Sequence, residues 1–276
     1  MIDQKNKAAA FRALHARSSA FVIPNPWDAG TAKILTQLGF EALATTSAGL
    51  AFSLGRSDGA ATREETLANA RAIVEATHLP VSADLENGFG HSPQKVAETI
   101  QLASGVGLVG GSIEDATGDS AKPIYDLNLA VERITAAVES ACAMDIHFTL
   151  TARAENFLHG RPDLDDTIAR LQAFEKAGAD VLYAPGLPSL EAIREVCSAV
   201  SCPVNVVAGL GGHTFSLQQL ADAGAKRISV GSALSRAALG AFIRASREIK
   251  DTGTFDFARE ALPYAEANAL MKASSQ

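Results

Sequence analysis

The stretch Ile168-Ala169-Arg170-Leu171-Gln172-Ala173-Phe174-Glu175-Lys176-Ala177-Gly178-Ala179-Asp180-Val181-Leu182-Tyr183-Ala184 contains the unit from which the chain is built. Ile168, Leu171, Phe174 and Ala177 recur at helical spacing, which predicts one apolar helix face. Gly178 stands where a helix end favours a residue tolerant of positive φ. Val181 to Ala184 then forms an apolar run of strand length. The same order recurs outward in both directions. Strand-like runs are predicted at residues 20–24, 42–46, 81–84, 108–113, 147–152, 181–184, 204–208 and 227–230, with helix-length amphipathic segments between them. Gly39 and Gly224 precede strands as Gly178 does. Pro80 and Pro203 sit where a missing N–H does least harm. Thr62 with Glu65 forms a Thr-x-x-Glu capping box, and Asp163 is a second N-cap.

Eight strand–helix units point to the α/β class and a (β/α)8 TIM barrel. A doubly wound sheet with extra strands is the competing arrangement. A length of 276 residues exceeds the usual ~150 per domain, but barrels of this kind use ~250 residues as one. The expectation is a single domain over residues 1–276, with about 252–276 an Ala-rich helical tail.

Composition narrows the function. Apolar residues make up 47% of the chain, and 31 Asp+Glu against 24 Lys+Arg leave a formal charge of −7. An acidic surface argues against nucleic acid as a partner. No apolar run is long enough to span a bilayer, and Met1-Ile2-Asp3-Gln4-Lys5 lacks the plan of a signal peptide. Cys142, Cys197 and Cys202, without a C-x-x-C pair, read as reduced thiols of a cytoplasmic protein.

A barrel of this kind builds its site at the C-terminal strand ends. Those ends carry Asn25, Trp27 and Asp28; Ser47, Ala48 and Gly49; Asp84, Glu86 and Asn87; Glu114 and Asp115; Arg153 and Glu155. Four carboxylates on two neighbouring strand ends raise one another's pKa unless a cation intervenes. Mg²⁺, with Mn²⁺ as a possible substitute, suits such a set because it takes a few carboxylates and keeps waters for a substrate. Asp84, Glu86 and Glu114 are the expected ligands; the alternative is that some of these acids cap helices or pair with Arg153. Arg153 can grip a substrate carboxylate through two parallel hydrogen bonds, or form a structural ion pair with Glu155 or Glu114. Ser47-Ala48-Gly49 is read as a tight turn whose hydroxyl and N–H groups suit a carboxylate or oxyanion. The segment from Leu50 to Thr62 reads as a long loop, with Gly55 and Gly59 as hinges around Arg56-Ser57-Asp58, either a lid or an idle surface loop.

Other motifs carry less. Gly105-Val106-Gly107-Leu108-Val109-Gly110 matches G-x-G-x-x-G but leads into a strand, so it is not a dinucleotide fingerprint. Gly209-Leu210-Gly211-Gly212 with Gly231-Ser232 leaves open a phosphate cradle. The histidines, His213 among them, are scattered, and no lysine stands at a strand end for Schiff-base chemistry.

The strand ends together resemble the isocitrate lyase/phosphoenolpyruvate mutase superfamily. The resemblance rests on Pro24-Asn25-Pro26-Trp27-Asp28-Ala29, Thr46-Ser47-Ala48-Gly49, Ala83-Asp84-Leu85-Glu86-Asn87-Gly88-Phe89-Gly90, Ser112-Ile113-Glu114-Asp115 and Thr151-Ala152-Arg153-Ala154-Glu155. It implies Mg²⁺, a 2-oxo acid or enol-phosphate substrate, and a homotetramer that swaps C-terminal helices. It also implies that Asp84, Glu86 and Glu114 are metal-site acids, some through water. Ser47 with the Ala48 and Gly49 amides would bind the substrate carboxylate, Trp27 would belong to the same pocket, Arg153 would grip the substrate, and Asp58 would be a loop acid. One departure matters: where cleaving lyases carry Lys-(Lys/Arg)-Cys-Gly-His, this chain has Ala116-Thr117-Gly118-Asp119-Ser120-Ala121-Lys122-Pro123, without Cys or His.

The expected activity is a Mg²⁺-dependent lyase that breaks a C–C bond of a small 2-oxo carboxylate, of oxaloacetate-decarboxylase type, since decarboxylation tolerates the missing acid. Asp58, Arg153 and Ser47 are the expected catalytic residues. The alternatives are P–C bond chemistry, as a phosphonopyruvate hydrolase or phosphoenolpyruvate mutase, a 2-oxo acid binding protein without turnover, and a metal-free phosphate-binding barrel enzyme.

Overall fold

The computed structural model describes residues 3–210 and 214–272. Its strands are β1 (Phe21–Ile23), β2 (Leu43–Ala44), β3 (Val81–Asp84), β4 (Gly110–Glu114), β5 (Thr149–Arg153), β6 (Val181–Tyr183), β7 (Val204–Val207) and β8 (Arg227–Ser229). The helices are α1 (Gln4–Ala16), α2 (Ala29–Gln37), α3 (Ser47–Ser53), α4 (Arg63–Ala76), α5 (Pro93–Gly105), α6 (Leu127–Cys142), α7 (Leu164–Lys176), α8 (Leu190–Ala199), α9 (Leu217–Asp222), α10 (Ala233–Thr252) and α11 (Tyr264–Met271).

Every strand pair is parallel, in the order β1-β8-β7-β6-β5-β4-β3-β2. The seam between β1 and β2 is drawn together by the Ala44 N–H on the Pro24 carbonyl (3.1 Å) and Asn25 Nδ2 on the Thr45 carbonyl (3.0 Å). The result is a nearly closed (β/α)8 TIM barrel. Leu171 and Phe174 of α7 share one buried cluster with Leu150 and Leu182, so the repeat that predicts the fold also packs it. The capping box at Thr62 and the cap at Asp163 both form.

The barrel floor is closed by α1, whose Phe11 and Leu14 pack with Phe21, Ile23 and Val109. Above it the interior turns polar. Arg227, buried, donates from Nε to Asn205 Oδ1 (2.8 Å) and from Nη2 to Thr151 Oγ1 (3.0 Å), with Nη1 3.4 Å from His15 Nε2. A cavity of about 60 Å³ lies between this layer and the strand ends, with Ser82, Ser112 and Tyr183 among its walls.

Three expectations change. Ser47, Ala48 and Gly49 open helix α3 instead of forming a bare turn, because Thr46 Oγ1 accepts the Gly49 N–H and caps it. The connection to α4 shortens accordingly. The tail is not one helix: α10 ends at Gly253 in left-handed backbone (φ 70°), and a 3-10 turn and Pro263 intervene before α11. After β8 the Val230 and Gly231 N–H groups both donate to Asn25 Oδ1 (2.9 Å each), which takes those amides from the phosphate-cradle reading. Gly211, Gly212 and His213 lie outside the described residues. Among the described residues no helix is long and apolar enough to cross a membrane.

His15 gives this packing a pH signature. Its neutral ring donates from Nδ1 to the Phe11 carbonyl (2.8 Å), leaving Nε2 to accept from Arg227. Burial first, then the Arg227 charge, pull its pKa down to about 3. The unfolded chain takes up this proton near pH 6.5 and the folded chain does not, so its contribution is full above pH 6.5 and drains away as the pH falls towards 3. Urea unfolding of parent and His15→Leu at pH 7 and pH 4.5 should show the parent losing about 2–3 kcal/mol relative to the variant over that interval.

Candidate active site

Three adjacent strands end in charge: Asp84 closes β3, Glu114 closes β4, and Arg153 closes β5. Glu114 and Arg153 are register partners, and so are Arg153 and Tyr183. Arg153 is the hub. Its Nε donates to Glu155 Oε1 (2.8 Å), its Nη1 to Asp84 Oδ1 (3.1 Å), and its Nη2 lies 3.2 Å from Glu114 Oε2. Its guanidinium carbon stands 5.0 Å from the Tyr183 ring centroid. The alternative of structural ion pairs for Arg153 is therefore realised with all three acids. Two of its five N–H groups are not taken up by these three acids.

Ser47 reaches the same acids from α3. Its Oγ donates to Asp84 Oδ2 (2.9 Å) and lies 3.3 Å from Asp58 Oδ1, while its N–H is 3.4 Å from Asp84 Oδ2. Asp58 lies on an exposed loop, yet its carboxyl leans inward onto Ser47. Gly49 is required by close approach: a Cβ there would lie 2.6 Å from Thr46 Cγ2 and 2.9 Å from Trp27 Cβ. Trp27 thus packs on the start of α3. Its carbonyl accepts from Asn69 (2.9 Å).

Glu86 follows β3 in left-handed backbone, φ 48°, and its Oε1 is buried without a hydrogen-bond partner. Burial, then the charges of Asp84 and Asp58, push its pKa up to about 7. Burial and the Asp84 charge raise Asp58, and burial raises Glu114 well above the usual range although Arg153 opposes it. Asp115 turns the other way. It accepts the Glu155 N–H (2.8 Å) and Arg170 Nη1 (3.1 Å), so it supports the site from behind.

Five carboxyl groups (Asp58, Asp84, Glu86, Glu114 and Glu155) thus crowd one guanidinium. Among the described residues no three His, Cys or acidic side chains already close into a metal cage. A hard cation that keeps its waters needs only one or two direct carboxylates. The orphaned Glu86 oxygen and the acid excess fit such a cation.

A family model for phosphoenolpyruvate phosphomutase matches residues 11–250. The chain belongs to the isocitrate lyase/phosphoenolpyruvate mutase superfamily. The 2-methylisocitrate lyase of Escherichia coli (strain K12) is 31% identical over 203 residues, spanning 71% of this chain and 67% of that protein. The 2,3-dimethylmalate lyase of Eubacterium barkeri is 33% identical over 186 residues, 64% of this chain and 63% of that one. Among solved structures, a candidate lyase/mutase from Burkholderia cenocepacia J2315 superposes with a TM-score of 0.96 at 59% identity, covering 98% of this chain and 97% of that chain. This superfamily contains lyases and mutases that act on 2-oxo acids with Mg²⁺.

Tyr183 is the site residue that reading the strand ends missed. Its signal was available: a ring at the end of strand 6, level with Arg153. Glu155 was visible at the end of strand 5 and as a partner for Arg153; it lies beyond β5 at φ −93° and ψ 11°, and its N–H on Asp115 Oδ1 holds it at depth.

Removing the hub should expose the excess charge. Arg153→Met leaves Asp84, Glu114 and Glu155 without their shared cation and should cost about 3–5 kcal/mol of stability near pH 7.5. The loss should shrink towards pH 5 as carboxyls with raised pKa take up protons, which paired urea titrations at the two pH values will measure.

Proposed function

We propose that this protein is a Mg²⁺-dependent lyase that breaks a C–C bond of a small 2-oxo carboxylate, of oxaloacetate-decarboxylase type, through an enolate. The observation that carries it is the buried, unpartnered Glu86 oxygen inside an acid cluster that Arg153 alone does not neutralise. Asp84, Glu86 and Glu114 would hold the divalent ion, with Mn²⁺ able to replace Mg²⁺. When bound, the ion supplies Lewis-acid polarisation of the 2-oxo group. The likeness to two lyases supports cleavage of the substrate over simple binding.

The chain's own groups divide the remaining work. Ser47, at the head of α3, orients the substrate carboxylate together with the Ala48 amide. Arg153 offers its two remaining N–H groups to the carboxylate or to the oxygen that gains charge. The C–C bond breaks, its electron pair passes to the 2-oxo oxygen, carbon dioxide leaves, and a proton returns to carbon 3. Asp58, whose pKa is raised by burial and by the Asp84 charge, accepts from Ser47 Oγ through Oδ1 at 3.3 Å and would pass that proton to carbon 3 from its other oxygen, while its loop screens the site from water.

The three cysteines are free thiols, in keeping with a cytoplasmic setting. Phe242, Ile243 and Leu239 of α10 are exposed apolar side chains, which supports self-association, with a tetramer as the expected assembly. Light scattering should return a multiple of 28.7 kDa; a monomer at micromolar concentration overturns this part.

The activity is tested by a 2-oxo acid panel with Mg²⁺ and with chelator, following carbon dioxide, pyruvate and phosphate together. Carbon dioxide release that stops on chelation is expected, with kcat/KM falling at least about a hundredfold in Asp84→Asn. Asp58→Asn should lower kcat by roughly a hundredfold. Chelator-resistant turnover or a fully active Asp84→Asn defeats the proposal, and phosphate release without carbon dioxide assigns P–C chemistry instead.

A further inference from the structure

Among the described residues, Glu86 and Phe89 are the two non-glycine residues in left-handed backbone, at φ 48° and 59°, with Gly88 at 77° between them. An L-residue there brings its Cβ against a carbonyl oxygen. Two such residues within four do not persist unless the surroundings over-determine the loop. The loop's carbonyls show how that is done. The Glu86 carbonyl accepts the Glu114 N–H (3.0 Å), and the Gly88 carbonyl accepts Thr99 Oγ1 (2.8 Å). Arg133 takes three more: its Nη1 donates to the carbonyls of Gly90 and His91 (2.6 Å each), and its Nη2 to that of Asn87.

Arg133 reaches the loop from α6 and is 1% exposed, the largest of the fully buried side chains. Among the described residues it forms no ion pair. Its guanidinium lies 4.3 Å from the centroid of the Tyr125 ring, whose hydroxyl is 2.7 Å from His91 Nδ1. Its charge is thus directed at carbonyls of one strained turn, where charge-assisted bonds are strongest.

We propose that Arg133 is a positioning residue for Glu86: by gripping the carbonyls of Asn87, Gly90 and His91 it locks the left-handed turn that holds the Glu86 carboxylate in the acid cluster, and so sets the affinity for a divalent cation. This rests on the reading that Asp84, Glu86 and Glu114 hold such an ion. Electrostatics alone makes the opposite forecast, since removing a nearby positive charge tightens cation binding. A purely structural arginine would leave the affinity of the folded protein unchanged.

The test is Mn²⁺ binding to the full chain by calorimetry, for parent, Glu86→Gln, Arg133→Met and the double variant, with folding checked by circular dichroism. Each single change should weaken Mn²⁺ about tenfold. The double variant should be no more than about twofold weaker than Glu86→Gln, because the arginine acts through that carboxylate. Parent affinity or tighter binding in folded Arg133→Met overturns the inference, as does a double variant about a hundredfold weaker than parent, the product of independent effects. Arg133→Lys, which keeps the charge but reaches fewer carbonyls, replaces Arg133→Met in the same cycle if the latter does not fold. If the parent itself binds no Mn²⁺, the cation reading fails. The lock on the turn is then decided by amide exchange over residues 86–91, which must quicken in Arg133→Lys; unchanged exchange overturns it.

Discussion

The guanidinium of Arg153 is the interaction on which the site depends. Three carboxylates from three different chain segments meet on its Nε, Nη1 and Nη2, and none of them would tolerate burial beside the others without it. A lysine would not substitute, because one ammonium cannot present three coplanar directions to acids fixed by three strand ends. The barrel geometry makes the arrangement possible. Parallel strands in register bring residues that are distant in sequence to the same height, so Glu114, Arg153 and Tyr183 form a row across β4, β5 and β6.

That arrangement still leaves the centre short of positive charge. Asp58, Glu86 and Glu114 all have raised pKa values with burial as the leading cause; Glu114 is raised although Arg153 pairs with it, and Asp58 and Glu86 form no ion pair among the described residues. Asp115 shows the same response to burial yet has a partner, since Arg170 and the Glu155 N–H occupy both of its oxygens. The difference between them is geometric. Asp115 points into the layer between barrel and helices, whereas Glu86 keeps a buried oxygen with nothing to bind.

The barrel was legible in the sequence because its signals are local. Helical spacing in Ile168, Leu171 and Phe174, the capping box at Thr62 and the glycines before strands each report on a few neighbouring residues. Helix α3 was not legible, since Ser47-Ala48-Gly49 carries turn-like residues and only the Thr46 cap, formed in space, extends them into a helix. The acids of the site were legible as types at strand ends, but their sorting was not. Whether Glu114 or Asp115 faces the mouth depends on strand parity and on the position of Arg170, a helix residue remote in sequence. Tyr183 lies in the strand that predicts the fold, where an aromatic ring within an apolar run carries no local sign that it borders Arg153.

Buried arginines from the outer helix layer carry a second role that composition does not suggest. Arg133 and Arg170 sit one on α6 and the next on α7, and each points inward to hold a strand-end loop: Arg133 holds the loop after β3, while Arg170 holds Asp115 and the Tyr125 carbonyl. Loops at a barrel mouth are the segments free to vary, but a loop that must place a carboxylate within hydrogen-bonding tolerance needs support from rigid elements. Helices packed on the barrel are such elements, and a guanidinium is long enough to cross the layer and has enough donors to meet several carbonyls at once. The strain accepted at Glu86 and Phe89 is therefore matched by a fixed clamp behind it, and the precision of the acidic centre derives from the helix layer as much as from the strands.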